Sequence, residues 1–223
     1  MNQHTLLEAM ALSAMAYADI QPRPLRGEQT FYSAPNGVQF FVRREGACLS
    51  IIFRGSNSPL DWAHNLAFAR MEVAAFCGHS SIQAHRGFLA AYESDCVRRA
   101  LHGLMDGVRR LRVTGHSYGA ALATLCALDI RLTFPDIDVE AILFGAPRVG
   151  NKAFMRCYNS HVIRTVRVEC GNDIVTKVPL AVMGFRHVGS RLHVGPRRWP
   201  LAMSTEDHYQ NRYYEGLINR LLS

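Results

Sequence analysis

The 223-residue sequence predicts an α/β fold, a mostly parallel central sheet with helices on both faces and antiparallel additions at the N-terminal edge. Three observations carry this reading. Short apolar runs near 47–53, 111–116, 139–144 and 162–168 alternate with longer stretches of helical spacing, the pattern of parallel strands covered on both faces. Phe31-Tyr32 and Val38-Gln39-Phe40-Phe41-Val42 flank Ala34-Pro35-Asn36-Gly37, which reads as strand, tight turn, strand. Hydrophobic residues make up 48% and charged residues 19% of the chain, a composition that builds a core and argues against disorder. No repeat, low-complexity tract or linker divides it, so residues 1–223 are read as a single domain.

Each element has its own warrant. Leu6, Leu7, Met10, Ala14 and Tyr17 recur at helical spacing over residues 3–18, and Gln21-Pro22-Arg23-Pro24 ends that helix. The run 47–53 is apolar on both faces and therefore central; it leads directly into Arg54-Gly55-Ser56-Asn57-Ser58-Pro59. From Asp61 to about Ser81 the pattern is indeterminate. A helical stripe from Arg86 to Met105 holds Phe88, Tyr92, Cys96 and Ala100. The strand at 111–116 is followed by a helix at 118–132, stopped near Phe134-Pro135. A helix reaching about Tyr158 follows the strand at 139–144 and leads to the strand at 162–168. The looser stretch at 184–194 reads as hairpin strands, and a last amphipathic helix from near Asp207 carries Tyr209, Tyr213, Leu217 and Leu221.

The chemistry centres on Gly115-His116-Ser117-Tyr118-Gly119, set between a strand and a small-residue helix. In that context Gly-x-Ser-x-Gly is a nucleophile elbow, a strained turn that lifts the serine hydroxyl above the sheet edge. The glycines let backbone and helix pass closely, and the first amides of the helix point where an oxyanion would form. A serine hydroxyl needs a base, and the base needs an orienting carboxylate. Asp173, in Cys170-Gly171-Asn172-Asp173 just past a strand, lies where a parallel strand delivers residues to a site. His187, His193 and His208 remain as bases; the first two sit in the presumed hairpin, while His208 stands at a loop-to-helix junction, which favours it. His116 is read as structural, facing away from the serine. The backbone N–H of Tyr118 is one oxyanion donor by elbow geometry, and the N–H of Ser56, after the early central strand, is the second unless that stretch is merely a polar turn.

Other function classes find less support. The N-terminus lacks a basic region ahead of its apolar stretch and so reads as no signal peptide; the chain is expected to be cytoplasmic, mature after processing, or exported without a recognisable signal. No run has the apolar length of a membrane span. The six cysteines carry no C-x-x-C spacing, so no metal site is expected and free thiols are favoured; Cys48, Cys96 and Cys126 read as small core residues. The net charge of +7 is spread over short arginine pairs, with no basic arm, so nucleic acid is not an expected partner. A solvated basic surface is the plain reading, and mild attraction to anionic lipid the functional one.

Five separated stretches together resemble the class 3 (fungal-type triacylglycerol) lipase family of α/β-hydrolases. They are Ile52-Phe53-Arg54-Gly55-Ser56 with Asp61-Trp62 and Asn65-Leu66; His85-Arg86-Gly87-Phe88 with Ala91-Tyr92; Val113 to Gly119; Phe144-Gly145-Ala146-Pro147-Arg148-Val149-Gly150-Asn151; and Asp173-Ile174-Val175 with Val178-Pro179. The resemblance implies hydrolysis of glycerol-lipid esters, with Ser117 as nucleophile, Asp173 as acid, His208 as base, Ser56 and Tyr118 as oxyanion donors, and no cofactor. It implies an ester lipid substrate and transient contact with a lipid or membrane surface, with oligomeric state left open. It also implies a lid at about Asn57 to Leu66, with Trp62 and Leu66 as lipid-facing anchors, although Trp62 packing on the core is an equal reading. A phospholipase A1-type activity and a catalytically silent lipid-binding protein are the alternatives. The family elbow usually carries Leu and then Gly-Gly after the serine; Tyr118 and Gly119-Ala120 stand here, and the tyrosine ring narrows the expected acyl pocket.

Overall fold

Period-two alternation in one strand accounts for the layering. In Asp138–Phe144, Val139, Ala141 and Leu143 join one buried cluster, whereas Ile142 and Phe144 join another on the opposite face. The computed structural model describes residues 3–17, 28–56, 69–78, 81–196, 199 and 202–222. The chain runs α1 (Gln3–Met15), β1 (Glu28–Ser33), β2 (Gln39–Glu45), β3 (Cys48–Phe53), β4 (Arg70–Glu72), a one-turn α2 (Ala74–Cys77) and β5 (Gln83–His85). It continues with α3 (Arg86–Glu93), α4 (Asp95–Gly103), β6 (Arg110–His116), α5 (Tyr118–Thr133), β7 (Asp138–Phe144), β8 (Gly150–Asn151) and α6 (Lys152–His161). Then come β9 (Arg164–Cys170), β10 (Phe185–Arg186), β11 (Ser190–Val194) and α7 (Gln210–Leu222).

The main sheet has the order β1-β2-β3-β6-β7-β9-β11. Strands β3, β6, β7, β9 and β11 are parallel, and β1 and β2 add antiparallel at the edge. Helix α5 lies against β3, β6 and β7 and is buried from Gly119 to Ile130, as expected of a helix that is apolar on nearly every side. The other face is covered by α1 and α7, whose Leu6, Met10, Tyr213 and Leu217 pack on Phe144 and Val168. Short strands β10, β8, β5 and β4 form a second, antiparallel sheet that the indeterminate stretch after Asp61 gave no sign of.

Several expectations need correction. The stripe from Arg86 to Met105 is two helices, because Ser94 takes an extended ψ of 136° and restarts the helical phase. After that break Val97 and Leu101 face inward and Cys96 is exposed. Cys48, at the first position of β3, is exposed as well; of the three expected core cysteines only Cys126 is buried, and all six are thiols. The stretch at 184–194 is no hairpin: β10 pairs with β8 in the small sheet, and β11 pairs in parallel with β9. The strand expected at 162–168 runs two residues later, since Val162 caps α6. The helix expected from Asp207 begins with a single 3-10 turn, Glu206–His208, ahead of α7.

One buried charge joins three helices. Asp129 of α5 is fully buried and accepts from Tyr92 Oη (2.7 Å), Arg98 Nε and Nη2 (2.9 and 3.0 Å), His102 Nε2 (2.7 Å) and Thr133 Oγ1 (3.1 Å). Burial alone would raise its pKa, yet Arg98, His102 and Tyr92 hold the carboxyl below the ordinary value. Removing one partner of such a group leaves the others desolvated without compensation. Asp129→Ala is expected to destabilise the fold by about 3–5 kcal/mol in urea unfolding. A loss below about 1 kcal/mol would mean that Arg98 and Tyr92 find other partners.

Candidate active site

Strand β6 ends at His116 and α5 begins at Tyr118, so Ser117 alone makes the turn between them. Its φ of 59° is the only positive value at a non-glycine among the described residues. Such a conformation costs about 1–3 kcal/mol and persists only where its surroundings hold it. The Ser117 N–H donates to the Phe144 carbonyl (2.9 Å), and the Ser117 carbonyl accepts from the Ala120 N–H (3.0 Å). A Cβ on Gly115 would sit 2.6 Å from the Gly119 carbonyl carbon, and one on Gly119 would sit 2.3 Å from the Phe53 carbonyl oxygen. Both positions therefore require glycine.

The hydroxyl raised by this turn meets a histidine brought from near the C-terminus. Ser117 Oγ lies 2.8 Å from His208 Nε2, and His208 Nδ1 lies 2.8 Å from Asp173 Oδ2. All three are buried. A carboxylate only accepts, so His208 Nδ1 carries the proton and Nε2 is left to accept from the serine. Asp173 stands three residues past the end of β9, and its Oδ1 accepts from the Val175 N–H (2.8 Å). Its Oδ2 also accepts from Tyr213 Oη on α7. Burial, and then the adjacent Asp173 charge, push the Tyr213 phenol well above its ordinary pKa, which keeps it a donor.

The loops carrying acid and base are tied together through their backbones. Ser204 N–H donates to the Asn172 carbonyl (3.0 Å), and Ile174 N–H donates to the Ser204 carbonyl (3.1 Å). Asp207, beside the histidine, accepts the Asn172 N–H through Oδ2 (2.9 Å), and its own N–H donates to Ser204 Oγ (3.1 Å). The base is thus positioned relative to the acid by chain geometry as well as by the side-chain bond.

Ser56 follows β3 at the edge where Ser117 follows β6, because Phe53 and Gly115 are register partners in that parallel pair. The Tyr118 amide stands at the first position of α5, and its ring packs 5.9 Å from the Phe88 ring. Trp62 and Leu66, with the lid expected at 57–66, lie outside the described residues. His187 and His193 stand apart from Ser117. His187 hydrogen-bonds the Thr176 carbonyl (2.8 Å), and burial, followed by the Arg167 charge, lowers its pKa to about 3. His193 sits on β11 opposite Glu169.

Sequence reasoning gave Tyr17, His116 and Tyr213 no place in the site. Tyr213 was legible as a helix-face residue only, since its hydroxyl partner lies 40 residues away. His116, expected to face away from the site, instead has its ring 4.5 Å from the ring of His208. It does point to the opposite face of the sheet from α5, but the His208 loop comes over that edge to meet it.

The model of the lipase (class 3) family matches residues 50–183, more than half of the chain. A chloroplastic phospholipase A(1) of Arabidopsis thaliana is 36% identical over 151 residues, covering 60% of this chain and 34% of that protein. A lipase of Rhizomucor miehei is 33% identical over 147 residues, covering 62% of this chain and 39% of that one. The chain therefore spans less than half the length of either relative. A solved triacylglycerol lipase, described as having a serine-protease triad at its catalytic centre, is 25% identical with a TM-score of 0.78 over 92% of each chain. On these matches the chain belongs to the class 3 lipase family and has the α/β-hydrolase fold.

Proposed function

We propose that this protein is a serine carboxylic-ester hydrolase that cleaves acyl esters of glycerol lipids. The observation that carries the reading is the continuous hydrogen-bonded chain from Ser117 through His208 to Asp173 at the end of the parallel strands. His208 Nε2 takes the Ser117 proton as the hydroxyl oxygen attacks the ester carbonyl, and Asp173 orients and stabilises the imidazolium. The amides of Ser56 and Tyr118 hold the tetrahedral oxyanion, each worth about 3 kcal/mol. His208 then gives the proton to the departing alcohol, leaving an acyl-enzyme on Ser117. Water attacks that ester with His208 again as base, and His208 returns the proton to Ser117 Oγ as the fatty acid leaves.

Two features bear on the substrate. Ser117 is fully buried, so an ester reaches it only after a covering element moves. The segment from Asn57 to Leu66, with Trp62 and Leu66 as anchors, is the proposed lid. The loops that follow β9 and β11, at the same end of the sheet, expose Leu180, Val182, Met183, Trp199 and Met203; Val182 is 90% and Trp199 76% accessible. These loops are braced: Arg148 donates to the Pro179 carbonyl (2.8 Å), Arg186 to the Ala181 carbonyl (2.6 Å), and the Asn172 amide to the Trp199 and Ala202 carbonyls (both 2.7 Å). Exposed apolar side chains on these loops, in a chain of net charge +7, suit an anionic lipid surface. A phospholipase A1-type activity is the second reading, supported by the phospholipase relative and the net charge of +7.

Hydrolysis of p-nitrophenyl esters from acetate to palmitate is expected in the wild type and is expected to drop by about ten-thousandfold in Ser117→Ala. A folded protein that is inert with and without detergent would leave the silent lipid-binding reading. Triglyceride against phospholipid substrates then separates lipase from phospholipase. Tyr213→Phe removes one donor to the acid and is expected to lower kcat about tenfold with KM unchanged. An unchanged kcat would mean that His208 and the Val175 amide hold Asp173 by themselves. For the surface, Trp62→Phe leaves Trp199 as the one remaining tryptophan. Its emission is expected to shift to the blue with vesicles containing phosphatidylglycerol, and Val182→Asp with Met183→Asp is expected to abolish vesicle binding while short-ester hydrolysis survives. A Trp199 emission that vesicles leave unmoved would remove these loops from any lipid contact.

A further inference from the structure

Directly before the nucleophile stands a second buried histidine for which the proposed reaction has no use. His116 Nε2 lies 2.8 Å from the carbonyl oxygen of His208, and His116 Nδ1 lies 3.0 Å from Tyr17 Oη. A carbonyl only accepts, so Nε2 must carry the proton. Nδ1 is then an acceptor, and the Tyr17 hydroxyl donates to it. The relay runs in one direction, from Tyr17 through His116 to the backbone of the base.

We infer that Tyr17 and His116 form a positioning relay that holds the triad histidine in register with both the nucleophile and the oxyanion loop. Four observations meet at this pair. The His116 ring lies 4.5 Å from the His208 ring at an interplanar angle of 34°, which restricts rotation of the base away from Ser117. The edge of the Tyr213 ring closes another side at 5.6 Å, and that same Tyr213 donates to Asp173. On the oxyanion side, Arg54 Nη2 donates to the Tyr17 carbonyl (3.3 Å). A Cβ on Gly55 would lie 1.8 Å from Tyr17 Oη and 2.7 Å from the His116 carbonyl oxygen, so the loop carrying Ser56 rests directly on the relay.

The protonation states are consistent with this direction of donation. Burial, then the neighbouring His208, lower the His116 pKa well below its ordinary value, so the ring stays neutral. Burial raises the Tyr17 phenol above its ordinary value, so the hydroxyl keeps its proton. A neutral His116 also places no second positive charge beside His208 when that ring becomes an imidazolium during acyl transfer. His116 touches no reacting atom; it acts through the backbone and ring of His208. The role in turnover rests on the ester-hydrolase reading, whereas the tautomer and its dependence on Tyr17 do not.

The test combines kinetics with a spectroscopic readout. Gln carries its amide nitrogen the same number of bonds from Cβ as His carries Nε2, so His116→Gln keeps a donor to the His208 carbonyl, while His116→Met fills the space without one. On a soluble short-chain ester, His116→Met is expected to lose about ten- to hundredfold in kcat with KM unchanged, and His116→Gln to recover most of it. Tyr17→Phe is expected to lower kcat about three- to tenfold in the wild-type background and to add no loss to His116→Met. Nitrogen-15 NMR is expected to find His116 as the Nε2–H tautomer in the wild type and to find a mixed population in Tyr17→Phe. The relay is overturned if His116→Met keeps full kcat, if His116→Gln is no better than His116→Met, or if the wild-type ring is the Nδ1–H tautomer. Should His116→Met fail to fold, the Tyr17→Phe kinetics and the NMR tautomer decide the question. A wild type without Ser117-dependent activity would defeat the hydrolase reading but leave the tautomer prediction standing to be judged by itself.

Discussion

Every part of this site depends on one strained backbone position. Ser117 holds a left-handed φ between the end of β6 and the first residue of α5. The strain is tolerated because the turn is hydrogen-bonded into β7 through the Phe144 carbonyl, and because Gly115 and Gly119 let α5 press against the ends of β6 and β3. A relaxed turn would drop the hydroxyl back toward the sheet, where neither His208 nor an oxyanion donor could serve it. Strand direction follows the same need: β3, β6, β7 and β9 run parallel, so the loops after β3, β6 and β9 all open on one edge.

Around that fixed hydroxyl, the remaining groups are held by redundancy rather than by any single strong bond. Asp173 keeps three donors, from His208, Tyr213 and the Val175 amide. The loop carrying His208 is bound to the loop carrying Asp173 by backbone bonds and by Asp207. His116 and Tyr17 add a further constraint from the face covered by α1 and α7. Helices that look like mere packing for the sheet therefore reach into the site: α1 ends next to Tyr17, and α7 carries Tyr213. Preorganisation of this kind is what lets a weak nucleophile act without reorganising its surroundings during the reaction.

The molecule separates this end from a second polar centre. Asp129 lies toward the far end of α5, where Tyr92, Arg98 and His102 close on it from α3 and α4. One helix thus starts at the nucleophile and ends in a buried charge network. The first presents the Ser117 hydroxyl to His208, and the second fixes where the helix lies on the sheet. Exposed apolar side chains stand on the loops after β9 and β11, among them Val182 and Trp199, and also elsewhere, at Ile163 ahead of β9 and at Leu222 in α7.

Much of this was legible in the sequence because its causes are local. Apolar runs near 47–53, 111–116 and 139–144 are read directly as strands by their side-chain period, and Gly-x-Ser-x-Gly between strand and helix is itself the turn chemistry. Asp173 was legible because a carboxylate just past a parallel strand has one place to go. Where phase could reset, periodicity misled: Ser94 broke one expected helix into two and turned Cys96 outward. Strands of two or three residues, such as β8 and β10, carry too few side chains for any period to register. The sequence by itself determined the layered α/β architecture, the family and the turn that carries Ser117. Only the tertiary structure decided which histidine meets Ser117, that His116 backs it, and that Tyr17 and Tyr213 donate into the site. Those are contacts between segments some 40 to 100 residues apart, formed by packing across a sheet edge, and no local pattern in the chain encodes them.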